Sequence, residues 1–160
     1  MTFKIFNKKA LIIIGAFLFC SATYGQPKNS TFNLLKKINK NLPFEILYFD
    51  KDIADTYALE LSSLLNNDLS SLGLNVLYPT SSLTIAENEV LLNDYILNST
   101  NNIILITSQS SSTRNTLNGN VYSSGKLIGS FTAFRTIWNN NRLILFSEFI
   151  SNEIGNNLFE

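Results

Sequence analysis

The sequence predicts an α+β fold, in which a β-α-β unit is followed by a helix and an antiparallel meander, and helices pack on one mixed sheet. Three observations support this prediction. A long helical periodicity lies between two strand-like runs, four consecutive aliphatic residues are apolar on both faces, and short strand-like runs alternate with turn residues in the C-terminal half. With 160 residues, the chain is long enough for one domain with a single core.

Residues 1–25 have the order of parts that is typical of a secretory signal peptide. Three lysines precede an uncharged apolar run over residues 10–19, and small and polar residues follow. The run is shorter than the roughly 20 residues that a membrane-spanning helix needs. We therefore expect cleavage and export, either to the periplasm or outer-membrane periphery of a Gram-negative bacterium or into the medium. Lipidation at Cys20 is the alternative, although Phe19 before it departs from the lipoprotein pattern.

Residues 26–43 are predicted to form a leader and a short helix ahead of the main domain. Ser30 is a candidate N-cap, and apolar residues recur at helical spacing over residues 31–40. Residues 44–160 are predicted to form a single α/β domain.

The β-α-β unit begins with a β-rich apolar run over residues 44–49, which has the length of a largely buried strand. Apolar residues then recur every three or four positions over residues 53–72, with Asp52 as a candidate N-cap and Gly73 as the stop. Residues 74–78 are predicted to form the second strand. A right-handed crossover is the expected connection between the two strands.

The rest of the chain supplies one helix, a central strand, a meander and a closing helix. Isoleucine and leucine fill the central strand on both faces, which predicts that it is covered on both sides. The predicted elements are a helix at 85–97, the central strand at 103–106, an exposed loop or hairpin tip at 108–115, strands at 117–123, 126–138 and 142–146 with turns at Ser124-Gly125 and 139–141, and a helix at 147–158.

Missing residue types exclude several kinds of chemistry. Removal of residues 1–25 leaves no Cys, His or Met, and it leaves nine basic against 12 acidic residues. Disulfides, thiolate nucleophiles, Cys or His zinc sites and Ser-His-Asp arrangements are therefore excluded. A net charge of −3 without a basic stripe also argues against nucleic acid as a partner. We expect no cofactor and no enzymatic activity.

One chemical alternative uses carboxylates alone. A secreted hydrolase with two carboxylates in one cleft needs neither His nor Cys. Asp50, Asp52 and Asp55 have a spacing that is compatible with oxygen ligands of calcium. The loop lacks the glycine turn and the distal glutamate of a calcium loop, and Asp52 is better used as a helix cap.

Two segments of the sequence carry a resemblance to known proteins. The pattern resembles that of small bacterial envelope domains, namely the TolB amino-terminal domain, CsgG, FlgO and LpoB, and it extends over residues 44–150. The matching positions are Ile53-Ala54, Ala58, Leu61, Leu65, Leu69, Leu72-Gly73, Val76, Ser81 or Ser82, Asp94-Tyr95-Ile96 and Ser124-Gly125-Lys126-Leu127-Ile128.

The resemblance implies a non-enzymatic docking or assembly domain that binds protein partners in the cell envelope. The families supply no catalytic residues, so none is carried over. Aromatic residues near turns are the expected partner contacts, because aromatic side chains are frequent anchors of interfaces. We select Tyr122, Phe134 and Trp138, while core or edge positions are the alternative for each. Peripheral membrane association and homo-oligomerisation both stay open.

Overall fold

The computed structural model describes residues 29–50, 56–77 and 89–160, and it confirms the α+β fold. Within these residues, a mixed six-stranded sheet has the strand order β1-β7-β6-β5-β3-β4, and β2 pairs with β8. The elements are β1 (Ser30–Leu34), β2 (Ile38–Asn39), β3 (Phe44–Asp50), α1 (Tyr57–Ser71), β4 (Val76–Leu77), α2 (Glu89–Asn98), β5 (Asn102–Ser110), β6 (Asn115–Ser123), β7 (Lys126–Arg135), α3 (Asn140–Asn156) and β8 (Leu158–Phe159).

The predicted β-α-β unit is present. β3 pairs in parallel with β4, and α1 connects the two strands. The helix begins at Tyr57 with Thr56 as its N-cap residue, whereas Asp52, the predicted cap, lies outside the described residues. Gly73 follows the helix with a φ of +76°, as expected of a residue that stops a helix. The apolar stripe of α1 faces the core through Ala58, Leu61, Leu65 and Leu69.

The helix predicted over residues 31–40 is wrong, because this segment contains strands β1 and β2. β1 pairs antiparallel with β7 at the edge of the large sheet. Phe32 stacks on Phe131 with ring centroids 5.9 Å apart, while the flanking Thr31 and Asn33 are exposed. This alternation has the period of two that a strand requires. The same apolar residues also fit a helical spacing, and pairing with the distant strand β7 favours the strand over the helix.

The turn predicted at 139–141 and the strand predicted at 142–146 are also wrong, since α3 begins at Asn140. The side-chain oxygen of Asn139 accepts a hydrogen bond from the backbone N–H of Arg142 at 3.0 Å. Asparagine is favoured both in turns and as an N-cap, so the local signal is ambiguous. The side chains that α3 buries recur at helical spacing: Leu143, Phe146, Ser147, Phe149, Ile150, Ser151 and Ile154.

The first two strands of the predicted meander are confirmed, since β6 and β7 pair antiparallel, and β5 supplies the third antiparallel strand instead of residues 142–146. Ser124 and Gly125 form the predicted turn with φ values of 48° and 74°. A side chain at Gly125 would place its Cβ 2.4 Å from the carbonyl oxygen of Leu97, so glycine is required there. The predicted loop at 108–115 is shorter than expected, because β5 continues to Ser110 and only residues 111–114 form the tip.

The two faces of the sheet are covered unequally. α1 and α3 enclose the larger core cluster on one face, and this cluster includes side chains of β2, β3, β5, β6 and β7. On the other face, Leu92 and Ile96 of α2 pack against Leu47 and Ile103 in a small cluster. Over β6, β7 and β1, that second face carries polar residues that are half-buried or exposed: Thr31, Asn33, Asn118, Asn120, Ser130 and Thr132.

A buried asparagine joins the start of β5 to its neighbours. Asn102 is 0% exposed. Its side-chain amide donates to the carbonyl oxygens of Asn39 at 2.8 Å and Leu42 at 3.2 Å, and its side-chain oxygen accepts from the hydroxyl of Ser123 at 2.8 Å.

Within residues 29–50, 56–77 and 89–160, no helix combines the length and the apolar character that crossing a bilayer would require.

Candidate functional site

An open cleft lies at the end of the sheet where β7 leads into α3. Its volume is about 690 Å³. The tip between β5 and β6 forms one wall, and the connection from β7 to the first turns of α3 forms another. The lining residues are Asn29, Thr113, Arg114, Phe134, Arg135, Thr136, Ile137, Arg142 and Leu145.

All three arginines of the chain line this cleft. Arg114 comes from the tip between β5 and β6, Arg135 is the last residue of β7, and Arg142 lies in the first turn of α3. The topology explains why they meet. β7 pairs antiparallel with β6, so the end of β7 lies beside the start of β6, and α3 begins five residues after β7 ends.

Uncharged groups hold the three guanidinium groups. Arg135 donates to the carbonyl oxygen of Phe134 at 2.6 Å and approaches the Ser30 hydroxyl at 3.5 Å. Arg142 donates to the carbonyl oxygen of Ile137 at 2.6 Å. The guanidinium carbon of Arg114 lies 4.4 Å from the centroid of the Phe134 ring, which is a cation–π contact.

Among residues 29–50, 56–77 and 89–160, no carboxylate balances the positive charge of the cleft. None of the lining residues is acidic, and no ion pair links any of the three arginines to a carboxylate in the described part of the chain. Burial lowers the pKa of Arg135, and the positive charge of Arg142 lowers it further. The two cations therefore repel each other, and a bound anion would relieve this repulsion.

The structure brings two of the three predicted contact residues to this end of the sheet. Phe134 is half-buried in the cleft wall and carries Arg114 on its ring. Trp138 occupies a core position, which was the alternative for this residue, because its side chain is 3% exposed. Its indole N–H donates to the carbonyl oxygen of Asn115 at 3.2 Å, and its ring lies 5.4 Å from the guanidinium carbon of Arg135. Trp138 thus supports the cleft from the core side.

Tyr122 lies at the other end of β6, beside the turn at Ser124-Gly125, and is half-buried. Its register partner in β7 is Leu127, which is 51% exposed. Tyr122 is therefore separated from the cleft by the length of the strand. Partner contact by Tyr122, Phe134 and Trp138 stays a prediction.

Sequence reasoning missed the arginines of the cleft. It placed Arg114 in a polar loop and Arg142 in a strand, and it assigned no role to Arg135. A usable signal was present, since arginine occurs at only these three positions and all lie in the C-terminal half. Their convergence, however, depends on which strands pair.

The cleft has the groups needed to bind an oxyanion. A guanidinium offers a planar fork of N–H donors that matches a carboxylate or phosphate. The hydroxyl groups of Thr113 and Thr136 and the amide of Asn29 add further hydrogen-bonding groups to the wall. Ile137 and Leu145 are 62% and 53% exposed, so the same wall also presents aliphatic surface.

The described residues do not test the hypothesis of a calcium site at Asp50, Asp52 and Asp55. Among residues 29–50, 56–77 and 89–160, no three or more His, Cys, Asp or Glu side chains are grouped to hold a metal ion. Asp52 and Asp55, which the calcium hypothesis requires, lie outside these residues. Calcium binding at Asp50, Asp52 and Asp55 stays a prediction.

The fold occurs in proteins of known structure. It is similar to that of a PelC variant from Paraburkholderia phytofirmans, described as a dodecamer, with a TM-score of 0.51 and 11% identity over 76% of this chain and 94% of that chain. At this identity the likeness establishes a shared fold. No protein-family model matches the sequence, and no curated protein is significantly similar to it.

Two further structures show weaker likeness. A second crystal form of the PelC dodecamer from the same organism has a TM-score of 0.49 and 11% identity over 82% of this chain and 99% of that chain. Lipoprotein GNA1162 from Neisseria meningitidis has a TM-score of 0.42 and 16% identity over 72% of this chain and 97% of that chain. The specific resemblance to the TolB, CsgG, FlgO and LpoB domains stays a prediction.

Proposed function

We propose that this chain is an exported, non-enzymatic docking domain of the bacterial cell envelope, and that it binds a partner protein at the arginine cleft. One observation carries the proposal. The three arginines of the chain converge on one open cleft, and none of the described residues that line it is acidic. Unbalanced cations beside exposed aliphatic side chains are a suitable surface for a partner of opposite charge.

The chemistry of the cleft favours binding over catalysis. Arginine stays protonated at any physiological pH, so it can bind an anion but cannot serve as a general base or a nucleophile. Phe134, Ile137 and Leu145 add contact surface without reactive groups. The exposed threonine hydroxyls have no adjacent base among the lining residues, and a hydroxyl without such a base is a weak nucleophile.

The envelope part of the proposal rests on the first 25 residues. The order of lysines, apolar run and small residues supports export by a signal peptide. The fold that the chain shares with PelC is compatible with self-association, because the PelC structure is described as a dodecamer. We place the protein in the periplasm or at the periphery of the outer membrane.

The test is crosslinking of the exported chain in intact cells, followed by purification from the envelope and mass spectrometry. The double variant Arg114→Gln/Arg142→Gln removes two exposed cations of the cleft. Its matched control is Lys37→Gln/Lys126→Gln, which removes two exposed cations elsewhere. We expect the same partner with the wild type and the control, and its loss with the arginine variant.

Melting curves of all three proteins would show that the variants are folded. The mass of the N-terminal peptide would show whether the chain begins near Gln26 without a lipid. Undiminished recovery of the partner with the arginine variant would overturn the proposed site, and recovery of the wild type alone in the medium would overturn the envelope role.

Self-association is a second candidate, favoured by one feature of the sheet. β1 is an edge strand that pairs with β7 on one side, and an edge strand can add a strand from another copy. The dodecamer of the PelC structure supports the same idea. Light scattering of the purified exported chain should give a mass several times that of the monomer, and a monomer at high concentration would exclude it.

A further inference from the structure

We infer that the ligand of the arginine cleft is an acidic and aliphatic peptide segment of the partner, with carboxylates at the guanidinium groups and aliphatic side chains on Ile137 and Leu145. This inference rests on the proposed docking function and names the chemistry that the cleft recognises. Charge, donor geometry, volume and apolar exposure each contribute to it.

The donors of the cleft are positioned but not saturated. Arg142 uses one Nη to bind the carbonyl oxygen of Ile137, whereas Arg135 uses one Nη to bind that of Phe134 and the other for a long contact of 3.5 Å with the Ser30 hydroxyl. A guanidinium has five N–H donors, so each of these side chains is fixed by a neutral acceptor and still offers donors to a ligand. Fixed donors favour binding because less conformational entropy is lost when the ligand arrives.

The volume of the cleft fits a peptide segment better than a single small ion. At about 690 Å³, it lies within the range of about 300–1,000 Å³ that is typical of sites for ligands with many atoms. A small inorganic oxyanion could reach only part of the wall.

The aliphatic part of the cleft wall adds a second requirement, which is that the ligand also has apolar side chains. Ile137 and Leu145 flank Arg142 in sequence and are 62% and 53% exposed. Covering such side chains removes apolar surface from water and stabilises a complex. A purely anionic polymer would leave them uncovered. A segment in which Glu or Asp alternates with Leu or Ile satisfies both the cations and the apolar surface.

The experiment measures fluorescence anisotropy of a labelled peptide that alternates glutamate and leucine, with the full exported chain purified from the envelope. One matched peptide replaces glutamate by glutamine, and another replaces leucine by serine. We expect the first peptide to bind, and each matched peptide to bind about tenfold more weakly or worse. Equal binding of the glutamine or the serine peptide would overturn the inference.

Protein variants locate the site. Arg142→Gln should weaken binding of the acidic peptide about tenfold. Arg142→Lys should retain part of the binding, because it keeps the positive charge but loses the planar fork of donors. Lys126→Gln, an exposed cation at the opposite end of β7, should bind as the wild type does. An equal loss with Lys126→Gln would mean nonspecific electrostatic attraction and would overturn the assigned site.

Two further probes identify other sources of an anion. Inorganic phosphate is added as a competitor, and vesicles of phosphatidylglycerol and phosphatidylcholine are tested by sedimentation. Binding of vesicles without binding of the peptide would overturn the inference in favour of a membrane surface. Displacement by phosphate at peptide-like concentrations would overturn it in favour of free phosphate. A third outcome separates this inference from the proposed function. If Arg114→Gln/Arg142→Gln loses the envelope partner but the wild type does not bind the acidic peptide, the proposed function stands and only this inference is rejected.

Discussion

The face of the sheet that α1 and α3 cover differs from the end of the sheet where the cleft lies. The covered face is mostly apolar and buried, and residues from most strands meet in one cluster. The cleft is lined by cations, hydroxyl groups and exposed aliphatic side chains, and each cation has a neutral partner. Stability should therefore depend on the covered face, and binding should depend on the cleft.

The largest expected effect on stability is at Phe146, on the covered face. Its side chain is 0% exposed, and its ring lies 5.8 Å from Phe131 and 5.6 Å from Trp138. Phe146→Ala should lower the free energy of unfolding by about 3–5 kcal/mol, because it removes buried apolar surface and leaves a cavity. Denaturant titration followed by tryptophan fluorescence measures this change.

The neighbouring residue provides the control for Phe146. Leu145 is 53% exposed on the same helix, and Leu145→Ala should change stability by less than about 0.5 kcal/mol. Similar losses for the two variants would contradict the difference between the covered face and the cleft.

The next effect is at Asn102, where polar groups are buried instead of apolar ones. Asn102→Ala removes the partners of two backbone carbonyl oxygens and of the Ser123 hydroxyl. We expect a loss of about 2 kcal/mol, because buried polar groups without a partner are costly. Asn98→Ala, at an exposed position of α2, is the control and should cost little in the same denaturation assay. A neutral Asn102→Ala would mean that water replaces the lost amide.

A smaller effect is expected at Tyr95, on the face that α2 covers. The Tyr95 hydroxyl donates to both carboxylate oxygens of Glu45 at 2.7 Å. Tyr95→Phe should cost about 1.5 kcal/mol, as is typical of a hydrogen bond to a charged group. Tyr122→Phe is the matched control, since the Tyr122 hydroxyl accepts a long hydrogen bond of 3.4 Å from the side-chain amide of Asn120. Equal costs for the two variants would contradict a specific contribution of Glu45.

The hydrogen bond between Tyr95 and Glu45 also predicts that the free energy of unfolding depends on pH. Burial, together with the hydrogen bond to Glu45 and the negative charge of that carboxylate, raises the pKa of Tyr95 to about 12. Since the pKa is higher in the folded chain, the contribution to stability is fully present below pH 10 and is lost towards pH 12. The stability difference between the wild type and Tyr95→Phe should shrink over this window, and a constant difference would contradict the contact.

The smallest effect on stability is expected in the cleft itself. Arg142 is exposed, and its hydrogen bond to Ile137 lies at the surface. Arg142→Gln should change the free energy of unfolding by less than about 0.5 kcal/mol while it weakens partner binding. Thermal melts and the crosslinking assay, performed on the same preparation, measure the two effects. A large loss of stability would show that Arg142 belongs to the framework instead.

Local patterns predicted much of the framework and little of the site. The stripe of α1, the apolar run of β5 and the turn at Ser124-Gly125 depend on residues that are close in sequence, and all three are confirmed. Phe134 was selected because it is aromatic and near a turn. Nothing local indicated that Arg114, Arg135 and Arg142 share a cleft.

By itself, the sequence determined the α+β class, the main helix, the central strand and the hairpin at Ser124-Gly125, because periodicity and turn chemistry act over a few residues. Only the tertiary structure decided that residues 30–34 form a strand, since their apolar spacing fits two periods and β7 supplies the pairing. It also decided that the asparagines at 139–141 start a helix. Finally, it assembled the cleft, because three arginines from separate elements meet only when β6, β7 and α3 are in register.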